Sequence, residues 1–202
     1  MPGIPLEHTM RELEDDFVMV FYDQRGTGKS EPRTIEPAGI DRYVADAEEV
    51  VRMLLSRFSK ERLYLVGHSW GSDLGLQVAR DMPELLYAYI GVGQVINGAE
   101  QERLSYEYVV NRAAESGNER CLAAMAGIRP PYFDETGTLR MEDLALERKW
   151  LEKMGGVWYD YKAFGNRDMM KTMLGCTEYT LFDFRNVEKR AKAATVYTWP
   201  EE

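Results

Sequence analysis

One serine in this chain has the neighbours that a nucleophile requires. Residues 63–71 read Leu-Tyr-Leu-Val-Gly-His-Ser-Trp-Gly, an apolar run that ends in Gly67-His-Ser-Trp-Gly71. This is the G-x-S-x-G pattern, which has physical meaning where a strand precedes it and a helix follows. Such a turn lifts one hydroxyl clear of the sheet on a strained backbone, and side chains two residues to either side would collide. Gly67 and Gly71 are expected to remove those collisions, which leaves Ser69 exposed as the candidate nucleophile of an acyl-transfer reaction.

The partners of that serine are harder to find. A hydroxyl whose pKa lies far above neutrality needs a histidine base, and the histidine needs a carboxylate to hold its tautomer. The chain has two histidines, His8 and His68. His68 directly precedes the serine, so its side chain is expected to point away from the hydroxyl. His8 lies near the N-terminus, in a segment that reads as the start of a surface helix. In sites of this pattern the chain order is serine, acid, histidine, and no histidine follows Ser69. The triad is expected to be incomplete within this chain.

A second glycine-rich stretch, Gly28-Lys29-Ser30, resembles the end of a phosphate-binding loop. The glycine required five residues earlier is Asp23, and Pro32 stands where a helix must begin. An acidic side chain there repels phosphate, so no nucleotide is expected. The two cysteines, Cys121 and Cys176, show no metal-type spacing. They read as reduced, semi-buried side chains of a cytoplasmic protein. No metal and no cofactor is expected.

The elements that must carry these residues follow from periodicity. Phe17 to Tyr22 is a continuous apolar run of the kind buried on both faces of a parallel sheet, and Leu63 to Val66 reads as a second strand of buried type. Between them, Tyr43, Val44, Ala47, Val50, Val51, Leu54, Leu55 and Phe58 fall at helical spacing, which predicts an amphipathic helix over about 41–58. A helix is predicted over about 72–80, and a third strand over Leu85 to Val92. Strand, helix, strand, helix, strand is the signature of a parallel α/β architecture. From Glu100 to about Lys192 the pattern is helical, broken at Gly117-Asn118, at Arg129-Pro-Pro131, at Gly137 and at Gly155-Gly156.

Composition bounds the partners. The 202 residues are 45% hydrophobic and 29% charged, as in an ordinary globular protein, and the net charge is −9. An acidic chain is poorly suited to nucleic acid or an anionic membrane, both of which call for a basic surface. No apolar run approaches the length of a membrane span, and no signal peptide is visible. No nucleic-acid or membrane partner is expected.

Three stretches together resemble the α/β-hydrolase superfamily, and within it the proline iminopeptidase-like (serine aminopeptidase) branch. Asp23-Gln-Arg-Gly-Thr-Gly-Lys-Ser30 is similar to that branch's D-Q-R-G-x-G-x-S loop, and Gly67-His-Ser-Trp-Gly71 is similar to its nucleophile elbow. Pro2-Gly3-Ile-Pro5 looks like the tail of its H-G-G-P-G stretch. The resemblance implies a partial α/β-hydrolase fold, with central parallel strands, flanking helices and a helical cap. Residues 1–99 would form the partial core, 100–193 the cap, and 194–202 the start of a return to the core.

The resemblance also implies roles. Ser69 would attack a small amide or ester, such as the N-terminal residue of a short peptide. The backbone N–H of Trp70 would be one oxyanion donor, helped by the helix dipole. The second donor would come from the position of Met1. Gln94 and Asn97, at the carboxyl end of a strand, are candidate pocket residues, with ordinary loop polar groups as the plainer reading. Asp23 and Arg25 are expected to brace their loop. In iminopeptidases cap carboxylates hold the substrate's amino group, and Glu147, Glu152 and Glu178 are available here.

On this resemblance the chain corresponds to the middle of such a hydrolase, cut at both ends. The strand that the family places between those ending at Tyr22 and Val66 would be missing. Tyr22's strand should then pair directly with Val66's, or a second copy or a complementing chain should cover the open edges. A non-catalytic fragment that keeps a binding role is the alternative to an enzyme.

Overall fold

The computed structural model describes residues 11–27, 29–30, 39–133 and 139–157. Expectations placed on Met1, Pro2-Gly3, His8, Cys176, Glu178 and residues 194–202 lie outside these. Contacts divide the described residues into two compact units, one holding 22–96 and the other 11–21 together with 97–157.

The first unit is built around one βαβ crossover. Helix α1 spans Ile40–Phe58 and buries Tyr43, Val44, Ala47, Val51 and Leu55, a single stripe at helical spacing. It ends at Ser59, whose left-handed φ of 52° turns the chain toward the sheet. Strand β1, Leu63–His68, leads into helix α2, Trp70–Asp81, and a single 3-10 turn at Pro83–Leu85 delivers strand β2, Leu86–Val92. The two strands are parallel, with Leu65 opposite Tyr89 and Gly67 opposite Gly91. Parallel strands require a crossover of this length, and α2 supplies it.

One face of this sheet is covered. Leu63 and Leu65 pack with Leu74, Val78 and Met82 and with the buried stripe of α1. Because side chains alternate along a strand, Tyr64, Val66 and His68 point the other way, and all three are exposed. The apolar run of β1 reads as a strand of buried type, and Leu63 and Leu65 are the side chains that pack inward. Among the described residues its outer face is open, and β2 is its only ladder partner.

The segment from Phe17 to Tyr22 corrects an expectation. It has no strand assignment, and Val18 is 70% exposed. An apolar run supplies side chains for a buried strand but not the neighbour that makes a ladder. Among the described residues no strand lies beside it, and it does not pair with β1.

The second unit is helical: α3 spans Gly98–Glu115, α4 spans Glu119–Met125 and α5 spans Met141–Lys153. Asn97 caps α3 by accepting from the Glu100 N–H at 2.8 Å, and Asn118 caps α4 by accepting from the Cys121 N–H at 3.0 Å. Val109, Ala113, Cys121, Met125, Ile128, Tyr132, Leu139 and Trp150 form its core. Cys121 is a buried free thiol. Among the described residues no helix is long and apolar enough to cross a membrane, and no metal-holding group of His, Cys, Asp or Glu occurs.

Candidate active site

Ser69 stands at the junction of β1 and α2, at the carboxyl end of the strand and the N-terminus of the helix. Its backbone has φ 52° and ψ −124°, outside the regions that L-residues favour. Conformations of this kind cost about 1–3 kcal/mol and persist only where surrounding contacts hold them. Three bonds do so here. The Ser69 N–H donates to the Val92 carbonyl at 2.9 Å, which carries the β-ladder one step further. The Ser69 carbonyl accepts from the Ser72 N–H at 2.8 Å and from the Ser72 hydroxyl at 2.6 Å.

The flanking glycines divide the work unequally. A Cβ on Gly67 would lie 2.4 Å from the Gly71 carbonyl oxygen and 2.7 Å from the Ser72 Cα, both rigid backbone. A Cβ on Gly71 would meet nothing within 4 Å among the described residues. The expectation that both glycines relieve collisions is therefore corrected: Gly67 lets strand and helix pass closely, and no described residue requires a glycine at 71.

The loop after Tyr22 docks against this turn. Arg25 makes a bidentate pair with Asp46 on α1, at 2.7 and 2.8 Å. The Asp23 carboxylate accepts from the Lys29 N–H at 2.8 Å, and the Thr27 hydroxyl donates to the Gln24 carbonyl at 2.8 Å. Trp70 joins loop to helix. Its indole N–H donates to Gln24 Oε1 at 3.3 Å and its ring meets Tyr43 edge-on at 6.5 Å. As the first residue of α2, Trp70 has a backbone N–H with no intrahelical acceptor.

The remaining candidates are engaged elsewhere. His68 lies on the open face of β1, and among the described residues no hydrogen bond joins the Ser69 hydroxyl to a histidine. Gln94 is spent within the fold, accepting from Tyr89 at 2.6 Å and donating to the Ser72 and Val95 carbonyls at 3.1 and 2.7 Å. Asn97 is the α3 cap. Both therefore have structural roles that use their polar groups.

Among the carboxylates of the helical unit, Glu147 is fully buried, accepts from the Ser105 hydroxyl and pairs with Arg148. Arg148 also pairs with Glu102, itself only 4% exposed. Burial pushes the Glu102 carboxyl up, and the Arg148 guanidinium beside it opposes that shift. Among the described residues the Glu102 Oε2 and the Tyr132 hydroxyl are buried without a hydrogen-bond partner, and burial and the neighbouring carboxylates hold Tyr132 as the neutral phenol. Glu152 lies half-buried on the last turn of α5. Reasoning from sequence missed Glu102. Its signal was a charge seven residues before Val109, on the buried stripe of α3.

A parallel strand pair joined through a helix, with a strained serine at the carboxyl end of the first strand, is the centre of an α/β-hydrolase. The sequence profile of the serine aminopeptidase S33 family matches residues 6–119. The chain belongs to that family. It is 40% identical over 114 residues to a probable aminopeptidase, YbaC, of Bacillus subtilis, an alignment covering 54% of this chain and 36% of that one. It is 23% identical over 206 residues to the proline iminopeptidase of Heyndrickxia coagulans, covering 94% and 66%. A putative carbamate hydrolase, RutD, of a Caulobacter species is 25% identical over 165 residues, covering 82% and 56%. The chain thus spans about one third to two thirds of the length of these relatives. No solved structure matches it comparably.

Proposed function

We propose that this chain carries the nucleophilic part of a serine hydrolase that acts on a small amide or ester, such as the N-terminal residue of a short peptide. The observation that carries the reading is the backbone of Ser69, held at positive φ where β1 meets α2. In this reading the Ser69 hydroxyl attacks the carbonyl, and the Trp70 N–H at the helix N-terminus stabilises the oxyanion. The helical unit that follows plays the part of the family's cap. Glu147 already has its charge met by Arg148, so it is poorly suited to take a substrate amine.

A specific observation favours a second reading beside it. No histidine follows Ser69 in the chain, and His68 occupies the open face of the sheet. The base and its carboxylate would then come from outside these 202 residues, or these residues would bind without catalysing.

Turnover of aminoacyl arylamides by the full chain and by Ser69→Ala decides between them. We expect a rate lowered by about 10²–10⁴-fold relative to an enzyme with its general base, and the residue of that rate lost in the variant. Activity unchanged by Ser69→Ala would overturn the assignment. A robust rate that vanishes in the variant would show that a base lies within these 202 residues.

A further inference from the structure

The polar groups beneath the Ser69 turn form one connected set. The Ser72 side chain, fully buried, donates to the Ser69 carbonyl at 2.6 Å and accepts from the Val95 N–H at 2.9 Å. Val95 belongs to the segment that leaves β2. That segment is clamped in turn: the Tyr89 hydroxyl lies 2.6 Å from both the Ser72 carbonyl and Gln94 Oε1. Gln94 Nε2 donates to the Ser72 and Val95 carbonyls. Two small residues make room for this arrangement. A Cβ on Gly75 would lie 2.6 Å from the Tyr89 ring, and one on Gly91 would lie 2.1 Å from Gln94 Oε1.

The Ser69 carbonyl and the Trp70 N–H belong to one planar peptide group, so whatever orients the first orients the second. The Ser72 hydroxyl holds that carbonyl, and it is itself held by the backbone following β2. We propose that Ser72 is a positioning residue that fixes the Ser69–Trp70 peptide plane, and with it the direction of the oxyanion-stabilising N–H, from the clamp made by Tyr89 and Gln94. The proposal rests on Ser69 as nucleophile. Without the hydroxyl, the strained peptide has one restraint fewer against rotation. The loss falls on reaction at Ser69 and not on binding of the reagent.

The test uses the full chain and a small alkyl fluorophosphonate, which bonds to the serine oxygen as fluoride departs. Adduct formation at Ser69 is followed by mass spectrometry over a range of reagent concentrations. In parallel, amide exchange at Trp70 and Val95 is followed by NMR. Ser72→Ala should lower the saturating rate about tenfold, one hydrogen bond's worth, and leave the half-saturating concentration unchanged. Exchange at the Val95 amide should quicken and the Trp70 amide resonance should move. Tyr89→Phe, which keeps Ser72 and the ring, should shift both readouts in the same direction by less, and it stands in if Ser72→Ala does not fold.

Rates and amide signals equal to wild type in both variants would overturn the proposal, as would a change in half-saturation alone. Absence of any Ser69 adduct in the wild type would count against the nucleophile reading. The amide signals would then decide the clamp on their own.

Discussion

Alanine at Gly67 and alanine at Gly71 should behave as different mutations, although the two positions flank Ser69 symmetrically. At Gly67 the new Cβ would drive into the backbone of α2, and neither strand nor helix can yield without breaking the Ser69–Val92 bond. We expect a loss of about 1–3 kcal/mol, as in other overpacked sites. At Gly71 the Cβ meets none of the described residues and lies on a helix, where alanine is favoured over glycine by about 1 kcal/mol. Chemical denaturation of the two variants should give shifts of opposite sign. Equal losses would mean that Gly71 also faces a rigid neighbour. The G-x-S-x-G pattern names both glycines and cannot rank them. Ranking requires the distance from Gly67 to Gly71, which only the folded turn defines.

The packing of α3 on α5 turns on two carboxylates and one guanidinium. Glu102 has its folded pKa raised from an ordinary 4.5, with burial as the largest cause. The folded state therefore binds this proton more tightly than the unfolded chain does. Stability linked to it is fully present below about 4.5 and is lost as pH rises through the folded pKa. Thermal melts should show the wild type gaining on Glu102→Gln as pH falls from 7 toward 5. A constant difference over that range would refute the assignment. Arg148→Met removes the cation shared by Glu102 and Glu147, and about 3 kcal/mol should be lost, with a steeper dependence on pH.

The helices and the β1–α2–β2 unit were legible in the sequence, because periodicity and the glycine-flanked serine are local signals. The structure places α1 at Ile40–Phe58 and α2 at Trp70–Asp81, against expectations of 41–58 and 72–80. The failures are all non-local. Among the described residues the run Phe17 to Tyr22 has strand composition but no ladder partner, the apolar outer face of β1 has no covering layer, and Glu102 sits on a buried stripe because Arg148 reaches it from another helix. Ser72 was passed over for a similar reason, since its importance lies in bonds to Ser69 and to Val95, 23 residues later.

At the scale of the whole molecule, no element among the described residues layers the outer face of the β1–β2 sheet. Tyr64, Val66, Tyr87, Ile90 and Val92 are each between 46% and 60% exposed, and the Tyr64 and Tyr87 rings lie 5.3 Å apart. Contiguous exposed apolar patches favour association. Fully burying such side chains is worth about 1.5–3 kcal/mol each. The chain should bind an apolar fluorescent dye in its native state, and it should sediment above 23.3 kDa at high concentration. Val66→Lys with Ile90→Lys should suppress both effects. A monomer across a hundredfold dilution that takes up no dye would show that the face is covered.

Position 69 also has a handedness. The mirror image of its φ 52° and ψ −124° lies where L-residues rest comfortably, so a D-amino acid would occupy the turn without strain. The backbone bonds to Val92 and Ser72 are indifferent to that exchange, because they use only the peptide groups. A chain assembled by chemical ligation with D-alanine at 69 should thus be more stable than its L-alanine twin. The difference would measure, free of any side-chain chemistry, how much conformational energy the fold commits to holding one hydroxyl in place.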